Sequence, residues 1–265
     1  TIKLTDSSTV VDADFSKITS VEKIKQETSS NDFTLTLDAA AFAAGIVSAD
    51  AGTGTNLFTV GSGYTGALAV TLNAGSDTIN ASAQTSGSLI VSVAQDSITS
   101  ADTMTGGSAS ETLKITGGGT ALASTDMAGI SAFDKIEILS NAAFSITTNN
   151  KNVLAGATTV FDASDLTTAV LTFDATAETD GAYSITAGGT GDHQITLGSG
   201  NDTYTSTSTA GEDVTANGGN NTISTGDGAN IIVAGTGDDA ITAGTGNDTI
   251  TAGDGTNTVT AGDGT

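Results

Sequence analysis

A nine-residue period runs from Gly188 to the end of the chain and limits the folds that this segment can adopt. In every clear copy the fourth residue is Gly, the sixth is Asp, Asn or His, and the eighth is apolar. A degenerate turn at residues 206–215 interrupts the series. The copies are residues 188–196 (GGTGDHQIT), 197–205 (LGSGNDTYT), 216–224 (ANGGNNTIS), 225–233 (TGDGANIIV), 234–242 (AGTGDDAIT), 243–251 (AGTGNDTIT) and 252–260 (AGDGTNTVT). Such a period predicts one small structural unit that is stacked many times.

Each copy divides into a turn and a short strand. The first six residues are rich in Gly, which permits positive φ and a close approach of two backbones. In the last three residues only the middle side chain points inward, because side chains alternate along a strand. The expected inward series is Ile195, Tyr204, Val214, Ile223, Ile232, Ile241, Ile250 and Val259. These residues predict a thin apolar spine, while the flanking threonines face outward.

The composition favours the same architecture for the whole chain. Proline is absent, so every residue keeps the backbone N–H that a parallel strand ladder needs on both sides. Aromatic residues make up only 4% of the chain, which is too few for a thick core but enough for a narrow solenoid. We therefore predict an all-β protein built as a parallel β-solenoid.

The net charge of −23 limits the partners that this chain can have. Nucleic acid is excluded, because its phosphates need a basic surface. An acidic surface of this strength favours bound cations. We also predict no membrane span, since no apolar run approaches the roughly 20 residues that a membrane helix needs.

The nonapeptide resembles the GGxGxDxUx signature of the RTX family of secreted, calcium-binding bacterial proteins. This resemblance implies a right-handed parallel β-roll over residues 187–265, which we expect to continue beyond the fragment, and several bound Ca²⁺ ions. It also implies export through type I secretion to the extracellular surface of a Gram-negative bacterium. Within the family the chain is most similar to the RTX-containing S-layer proteins, which form surface arrays.

Upstream of the roll the pattern is sparser. One isolated copy covers residues 72–80 (LNAGSDTIN) and a weaker one covers residues 106–114 (GGSASETLK). Residues 18–24 (ITSVEKI) resemble residues 130–136 (ISAFDKI), which indicates an internal repeat of about 112 residues. We interpret residues 1–186 as an irregular β-solenoid. A helix is predicted at residues 38–44, with Asp38 as its cap and Gly45 as its stop.

The turns are the candidate metal sites. If two nonapeptides make one coil, alternate sixth positions stack about 4.8 Å apart. Two oxygens on opposite sides of a Ca²⁺ ion lie about 4.6–5.2 Å apart, which matches that spacing. The ligands expected along one edge are Asp202, Asn221, Asp239 and Asn257, and those along the other are His193, Asn230 and Asp248. The degenerate turn at residues 206–215 could change which sixth positions lie along the same edge.

Further ligands follow from the resemblance and from isolated motifs. The family's sites imply that turn carbonyls complete the oxygen shell, here at Gly226, Gly228, Gly235, Gly237, Gly244, Gly246, Gly253 and Gly255. Asp192, beside His193, and Asp77 in the isolated copy are added as candidates; the alternative for Asp77 is an ordinary turn aspartate. Asn at several sixth positions departs from the family's Asp, and the alternative there is a hydrogen-bonded asparagine ladder with few metals. Zinc is not expected at His193, which is the only histidine.

Three functions fit these features. The first is a calcium-dependent structural protein of the cell surface, of the S-layer type, that self-associates into a lattice. The second is an RTX adhesin or spacer, and the third is the calcium-binding secretion module of a larger RTX enzyme or toxin. Cell-surface polysaccharide or lipopolysaccharide is a further candidate partner. Because the chain has no GxSxG, HExxH or cysteine nucleophile, we expect no enzymatic activity.

Overall fold

The computed structural model describes residues 1–27 and 30–264 and confirms the all-β parallel solenoid. Within each of its two compact units, successive strands alternate between two sheets, and strands two places apart along the chain pair in parallel. By packing, the chain divides into two compact units: Thr1–Thr116 with Ala128–Asp134, and Gly117–Met127 with the residues from Lys135 onward. The predicted boundary at residues 186 and 187 and the internal repeat of about 112 residues stay predictions.

The first unit carries twelve strands among its described residues. They are β1 (Ile2–Leu4), β2 (Ser8–Val10), β3 (Lys23–Gln26), β4 (Phe33–Leu37), β5 (Ser48–Asp50), β6 (Asn56–Val60), β7 (Ala67–Thr71), β8 (Asp77–Asn80), β9 (Ser88–Ala94), β10 (Thr103–Thr105), β11 (Glu111–Thr116) and β12 (Ile130–Ser131). The odd-numbered strands form one sheet and the even-numbered strands form the other. Phe33 and Phe58 meet edge to face inside this unit, with ring centroids 5.5 Å apart.

The second unit repeats this arrangement. Its strands are β13 (Lys135–Leu139), β14 (Phe144–Thr147), β15 (Thr158–Ala163), β16 (Leu171–Asp174), β17 (Ala182–Ala187), β18 (Gln194–Thr196), β19 (Thr203–Ser206), β20 (Asp213–Thr215), β21 (Thr222–Ser224), β22 (Ile231–Val233), β23 (Ala240–Thr242), β24 (Thr249–Thr251) and β25 (Thr258–Thr260). From β18 onward each strand lies at the end of a predicted repeat or, for β20, at the end of the degenerate turn. The sequence period therefore sets the strand positions.

Two nonapeptides make one coil. Ile223 on β21 pairs with Ile241 on β23, and Ile232 on β22 pairs with Ile250 on β24. Each of these pairs spans two repeats. In a parallel sheet this register keeps equivalent side chains on the same face, so each turn residue lies above its equivalent in the next coil.

The predicted apolar spine is buried along most of its length. Six of its members are shielded from solvent: Ile195, Tyr204, Val214, Ile223, Ile232 and Ile241. Ile250 is half-buried, and Val259 keeps 45% of its surface exposed. Val259 lies on β25, which pairs on one side only in the described chain, so its inward face lacks a covering coil.

The predicted helix is present as α1 (Ala39–Ala44), and it ends at Gly45 with a φ of 94°. Its cap differs from the prediction, because the Asp38 side chain makes no capping hydrogen bond. The Asp12 carboxylate instead accepts the backbone N–H groups of Asp38, Ala40 and Ala41. Short 3-10 helices cover Asp12–Lys17, Gln95–Ser97 and Met127–Gly129. None of the helices in residues 1–27 and 30–264 has the length and apolar character to cross a membrane.

Candidate functional site

The first column of turn side chains contains Asp202, Asn221, Asp239 and Asn257, as the sequence predicts. In each step a side-chain oxygen accepts a hydrogen bond from the backbone N–H of the sixth-position residue one coil earlier. The N–O distances are 2.9 Å from Asp202 to Asn221, 2.8 Å from Asn221 to Asp239 and 2.8 Å from Asp239 to Asn257. The fold therefore fixes one oxygen of every member and orients the rest of the side chain in its turn.

The second column contains His193, Glu212, Asn230 and Asp248. The backbone N–H of Glu212 donates to Asn230 Oδ1, and that of Asn230 donates to Asp248 Oδ1, both over 3.0 Å. The backbone N–H of Asp213 donates to the carbonyl of His193, which places Glu212 directly after His193 in this column. The degenerate turn thus keeps the phase of the repeat. Glu212 was not predicted as a ligand from the sequence. It stands three residues before Thr215, which is the distance between the sixth and ninth positions of a repeat.

Several carboxylate oxygens in these columns are buried without any hydrogen-bond partner. They are the second oxygens of Asp202, Glu212, Asp239 and Asp248. Asp202, Glu212 and Asp239 expose 2% of their surface or less. A buried carboxylate oxygen without a partner is strongly unfavourable, and native proteins seldom keep one. A cation or a proton at these oxygens would remove that penalty.

Burial also shifts the pKa of two of these carboxyl groups. It raises the pKa of Asp202 to about 6, against the hydrogen bond from the Tyr183 backbone, which lowers it. Burial raises the pKa of Glu212 to about 7, against the hydrogen bond from the Ser206 hydroxyl. Burial therefore makes the negative charge of both carboxylates unfavourable in free energy, and a bound divalent cation would offset this. Oxygen ligands of this kind fit Ca²⁺.

The asparagine turns have a different chemistry. The Asn230 amide nitrogen donates to the carbonyls of Gly226 and Gly228 over 3.3 Å, and to the Ala243 carbonyl over 2.9 Å. The amides of Asn221 and Asn257 donate to carbonyls of their own turns in the same way. These carbonyls already have a donor. The hydrogen bonds favour the asparagine-ladder alternative, while metal binding at Asn221, Asn230 and Asn257 stays a prediction.

The turn glycines allow the coils to stack closely. At Gly237, where φ is 128°, an added Cβ would lie 2.1 Å from the Gly219 carbonyl oxygen of the preceding coil. Carbonyls of Gly226, Gly228 and Gly253 face the asparagine amides of their turns. A ligand role for the other predicted glycines stays a prediction; these are Gly235, Gly237, Gly244, Gly246 and Gly255.

His193 is fully buried, and both of its ring nitrogens are engaged. Nδ1 accepts the Leu171 backbone N–H over 3.0 Å, and Nε2 lies 3.1 Å from the Gly188 carbonyl. Burial lowers the pKa of His193, so the neutral ring with its proton on Nε2 satisfies both contacts. Asp192 lies exposed beside it. An ion at His193 would have to displace one of these bonds, so the metal roles of His193 and Asp192 stay predictions.

Asp77 does not stand alone in the first unit. Its backbone N–H donates to Asp102 Oδ1 over 2.7 Å, and its Oδ1 accepts from the Asn56 amide over 2.7 Å. All three side chains are buried. Burial raises the pKa of Asp77 to about 6, and hydrogen bonds from Asn56 limit the rise. Residues 51–59 (AGTGTNLFT) follow the nonapeptide pattern, so Asn56 could have been found from the sequence.

The candidate turns contain single carboxylates, not dense acidic clusters. Within residues 1–27 and 30–264, no three His, Cys, Asp or Glu side chains converge as a metal-holding group. Calcium sites often take part of their oxygen shell from backbone carbonyls. An isolated carboxylate beside turn carbonyls is therefore compatible with calcium but unsuited to zinc.

Replacing Asn230 by Asp should convert a hydrogen-bonded turn into a calcium-dependent one. Asn230→Asp removes the amide donor and places a second carboxylate beside Asp248, whose Oδ1 lies 2.9 Å from that amide nitrogen. At a low calcium concentration that still keeps the unchanged protein folded, we expect the free energy of unfolding to fall by about 1–3 kcal/mol, because buried acceptors lose their donor. Added calcium should restore it. Asn247→Asp, on the exposed side of the neighbouring turn, is the control for charge; equal calcium dependence of the two variants would contradict the prediction.

The comparisons with known proteins agree with this geometry. The family model of the RTX calcium-binding nonapeptide repeat matches residues 206–241, 215–250 and 233–265. These segments hold the degenerate turn and the five regular repeats after it. No curated protein and no solved structure matches the chain.

Proposed function

Because the C-terminal coils are RTX calcium-binding nonapeptide repeats, we propose that calcium holds this solenoid together outside the cell. One observation carries the proposal: buried carboxylate oxygens of Asp202, Glu212, Asp239 and Asp248 lack a partner in the columns where this family binds the ion. RTX repeats are typical of secreted calcium-binding proteins. Calcium-poor cytoplasm would leave the repeats unfolded for export, and millimolar calcium outside would order them.

The chain's own residues perform three tasks in this proposal. The paired strands set the height between coils, since β21, β23 and β25 lie one above another in register. Backbone N–H groups fix one oxygen of Asp202, Asp239 and Asp248, and the other oxygen of each is left for an ion. The asparagine amides satisfy the carbonyls of intervening turns. When bound, Ca²⁺ supplies two positive charges and accepts oxygen ligands from neighbouring turns.

We further propose a structural role at the surface of a Gram-negative bacterium, of the S-layer type. The net charge of −23 is the main support, because acidic molecules need cations to lie side by side. Exposed aspartates also line the outside of the turns: Asp227 bonds to Thr245 and Asp238 bonds to Thr256 one coil later. Calcium between such faces would link neighbouring copies. Surface polysaccharide or lipopolysaccharide is the proposed anchor, and the proposal includes no catalytic role.

Electron microscopy of the full-length protein tests the surface-layer role. With millimolar calcium we expect two-dimensional sheets, and with chelator we expect dispersed molecules. Magnesium at the same concentration controls for general charge screening. Dispersed single molecules in calcium would contradict the lattice and favour a spacer or a secretion module.

A further inference from the structure

An irregular turn before the nonapeptides places a glutamate next to the first column. This turn covers residues 175–181 (ATAETDG) and lies against the turn that contains Asp202. The Ser199 backbone N–H donates to the Glu178 carbonyl over 3.0 Å. At Gly198 an added Cβ would lie 2.6 Å from that carbonyl oxygen, so the contact requires a residue without a side chain.

Glu178 supplies a carboxylate where the column would otherwise end. The backbone N–H of Tyr183 donates to Asp202 Oδ1 over 2.7 Å, so an aromatic residue occupies the position that precedes Asp202 in the column. Glu178 is fully buried, and its Oε1 accepts the Gly181 backbone N–H over 2.9 Å. Glu178 Oε2 and Asp202 Oδ2 are both buried without a partner.

The negative charge of Glu178 acts on Asp202, and the charges of both carboxylates act on Tyr183. The pKa of Asp202 is raised to about 6, mainly by burial and in smaller part by the negative charge of Glu178. Burial also raises the pKa of Tyr183, with contributions from Glu178 and Asp202. The two acids therefore share one buried region that holds two unpartnered oxygens.

We propose that Glu178 and Asp202 together bind a divalent cation of the Ca²⁺ type. The site combines one carboxylate from an irregular turn with one from a nonapeptide, and Glu178 lies outside the residues that the RTX family model matches. Two carboxylates give it more ligand charge than a turn with a single aspartate, so its affinity is higher. The inference rests on the proposed calcium-dependent function and adds a site to it.

The first unit contains a turn of the same shape with an uncharged residue in place of Glu178. Residues 81–87 (ASAQTSG) correspond to residues 175–181, and Gln84 takes the place of Glu178. The Ser108 backbone N–H donates to the Gln84 carbonyl over 3.0 Å, as Ser199 does to Glu178. An added Cβ at Gly107 would lie 2.3 Å from the Gln84 carbonyl oxygen, as at Gly198.

This turn also lies beside a buried carboxylate. Glu111 exposes 1% of its surface, and both of its oxygens lack a partner. The amide oxygen of Gln84 is likewise buried without a partner. The Glu111 backbone N–H donates to Asp134 Oδ2 over 2.9 Å, where that of Asp202 donates to Asn221 Oδ1. Asp134→Asn gives this turn the same neighbour as Asp202 has, so that Gln84 is then the difference between the two turns.

Counting bound calcium in two reciprocal variants tests the site. Equilibrium dialysis of Glu178→Gln should show one ion fewer than the unchanged protein, and Gln84→Glu made together with Asp134→Asn should show one ion more than Asp134→Asn alone. Glu22→Gln, which removes an exposed carboxylate, should leave the count unchanged. Circular dichroism with calcium confirms that each variant is folded.

The outcomes separate this site from the general function. If the unchanged protein binds no calcium, the proposed function fails. If it binds calcium and folded Glu178→Gln keeps the full count, the site at Glu178 is overturned. Should Glu178→Gln fail to fold, the count for Gln84→Glu with Asp134→Asn decides: one extra ion supports the paired-acid site, and an unchanged count overturns it.

Discussion

Removal of calcium with a chelator at neutral pH is expected to unfold the coils between Gln194 and Thr260. The buried carboxylates of Asp202 and Asp239 would then keep oxygens without a partner. A buried acceptor that is left without a partner costs about 1–3 kcal/mol, and a charged one costs more. Each lost ion also removes about 2.7 kcal/mol of stabilisation when calcium stands at 100 times its Kd. Far-UV circular dichroism should show a large loss of β signal.

Magnesium provides the control for this experiment. Mg²⁺ prefers a tight octahedral shell and keeps its waters, so it should restore little of the β signal. Calcium should restore it fully and reversibly. A β signal that is unchanged in chelator would show that the columns hold together without metal.

Replacing Gly237 by Ala is expected to have the second large effect. The new Cβ would lie 2.1 Å from the Gly219 carbonyl oxygen, which belongs to the backbone of the preceding coil and cannot move aside. The φ of 128° adds strain for any residue with a Cβ. Overpacking typically costs about 1–3 kcal/mol, and left-handed strain about 1–2 kcal/mol more. We expect a loss of about 3 kcal/mol or more in the free energy of unfolding in calcium.

Gly117→Ala separates the two causes. Gly117 also has a positive φ, 79°, but an added Cβ there meets no atom within 4 Å. This variant should lose only about 1–2 kcal/mol, because it carries the strain without the crowding. Urea unfolding of both variants gives the comparison. Equal losses would mean that close stacking of the coils contributes nothing at Gly237.

The fold was largely predictable from the sequence because its period is short and regular. The apolar eighth residue recurs every nine positions, and strands from β18 onward lie where that residue places them. The nine-residue spacing also predicted the two columns of turn side chains, because two repeats per coil bring alternate sixth positions together. Gly45 correctly marked the end of α1.

The other residues of the site could not be predicted from the sequence, because contacts between coils of unequal length bring them together. Glu178 lies in no nonapeptide, and only the approach of Gly198 to its carbonyl brings it beside Asp202. Asp102 bonds to Asp77 although the turn before it lacks the fourth-position glycine. The sequence also could not predict how each asparagine amide is oriented. Oδ1 accepts hydrogen bonds and Nδ2 donates them, and the spacing of the repeats is the same for either orientation. Side-chain stacking that spans irregular turns has no fixed spacing in the sequence.

Anomalous X-ray scattering from crystals grown in calcium tests the central claim most directly. The account predicts calcium peaks beside the second carboxylate oxygens of Asp202, Asp239 and Asp248, and amide hydrogen bonds at the turns of Asn221 and Asn230. A map in which the aspartate turns carry no calcium, with their carboxyl groups bonded only to protein or water, would contradict it.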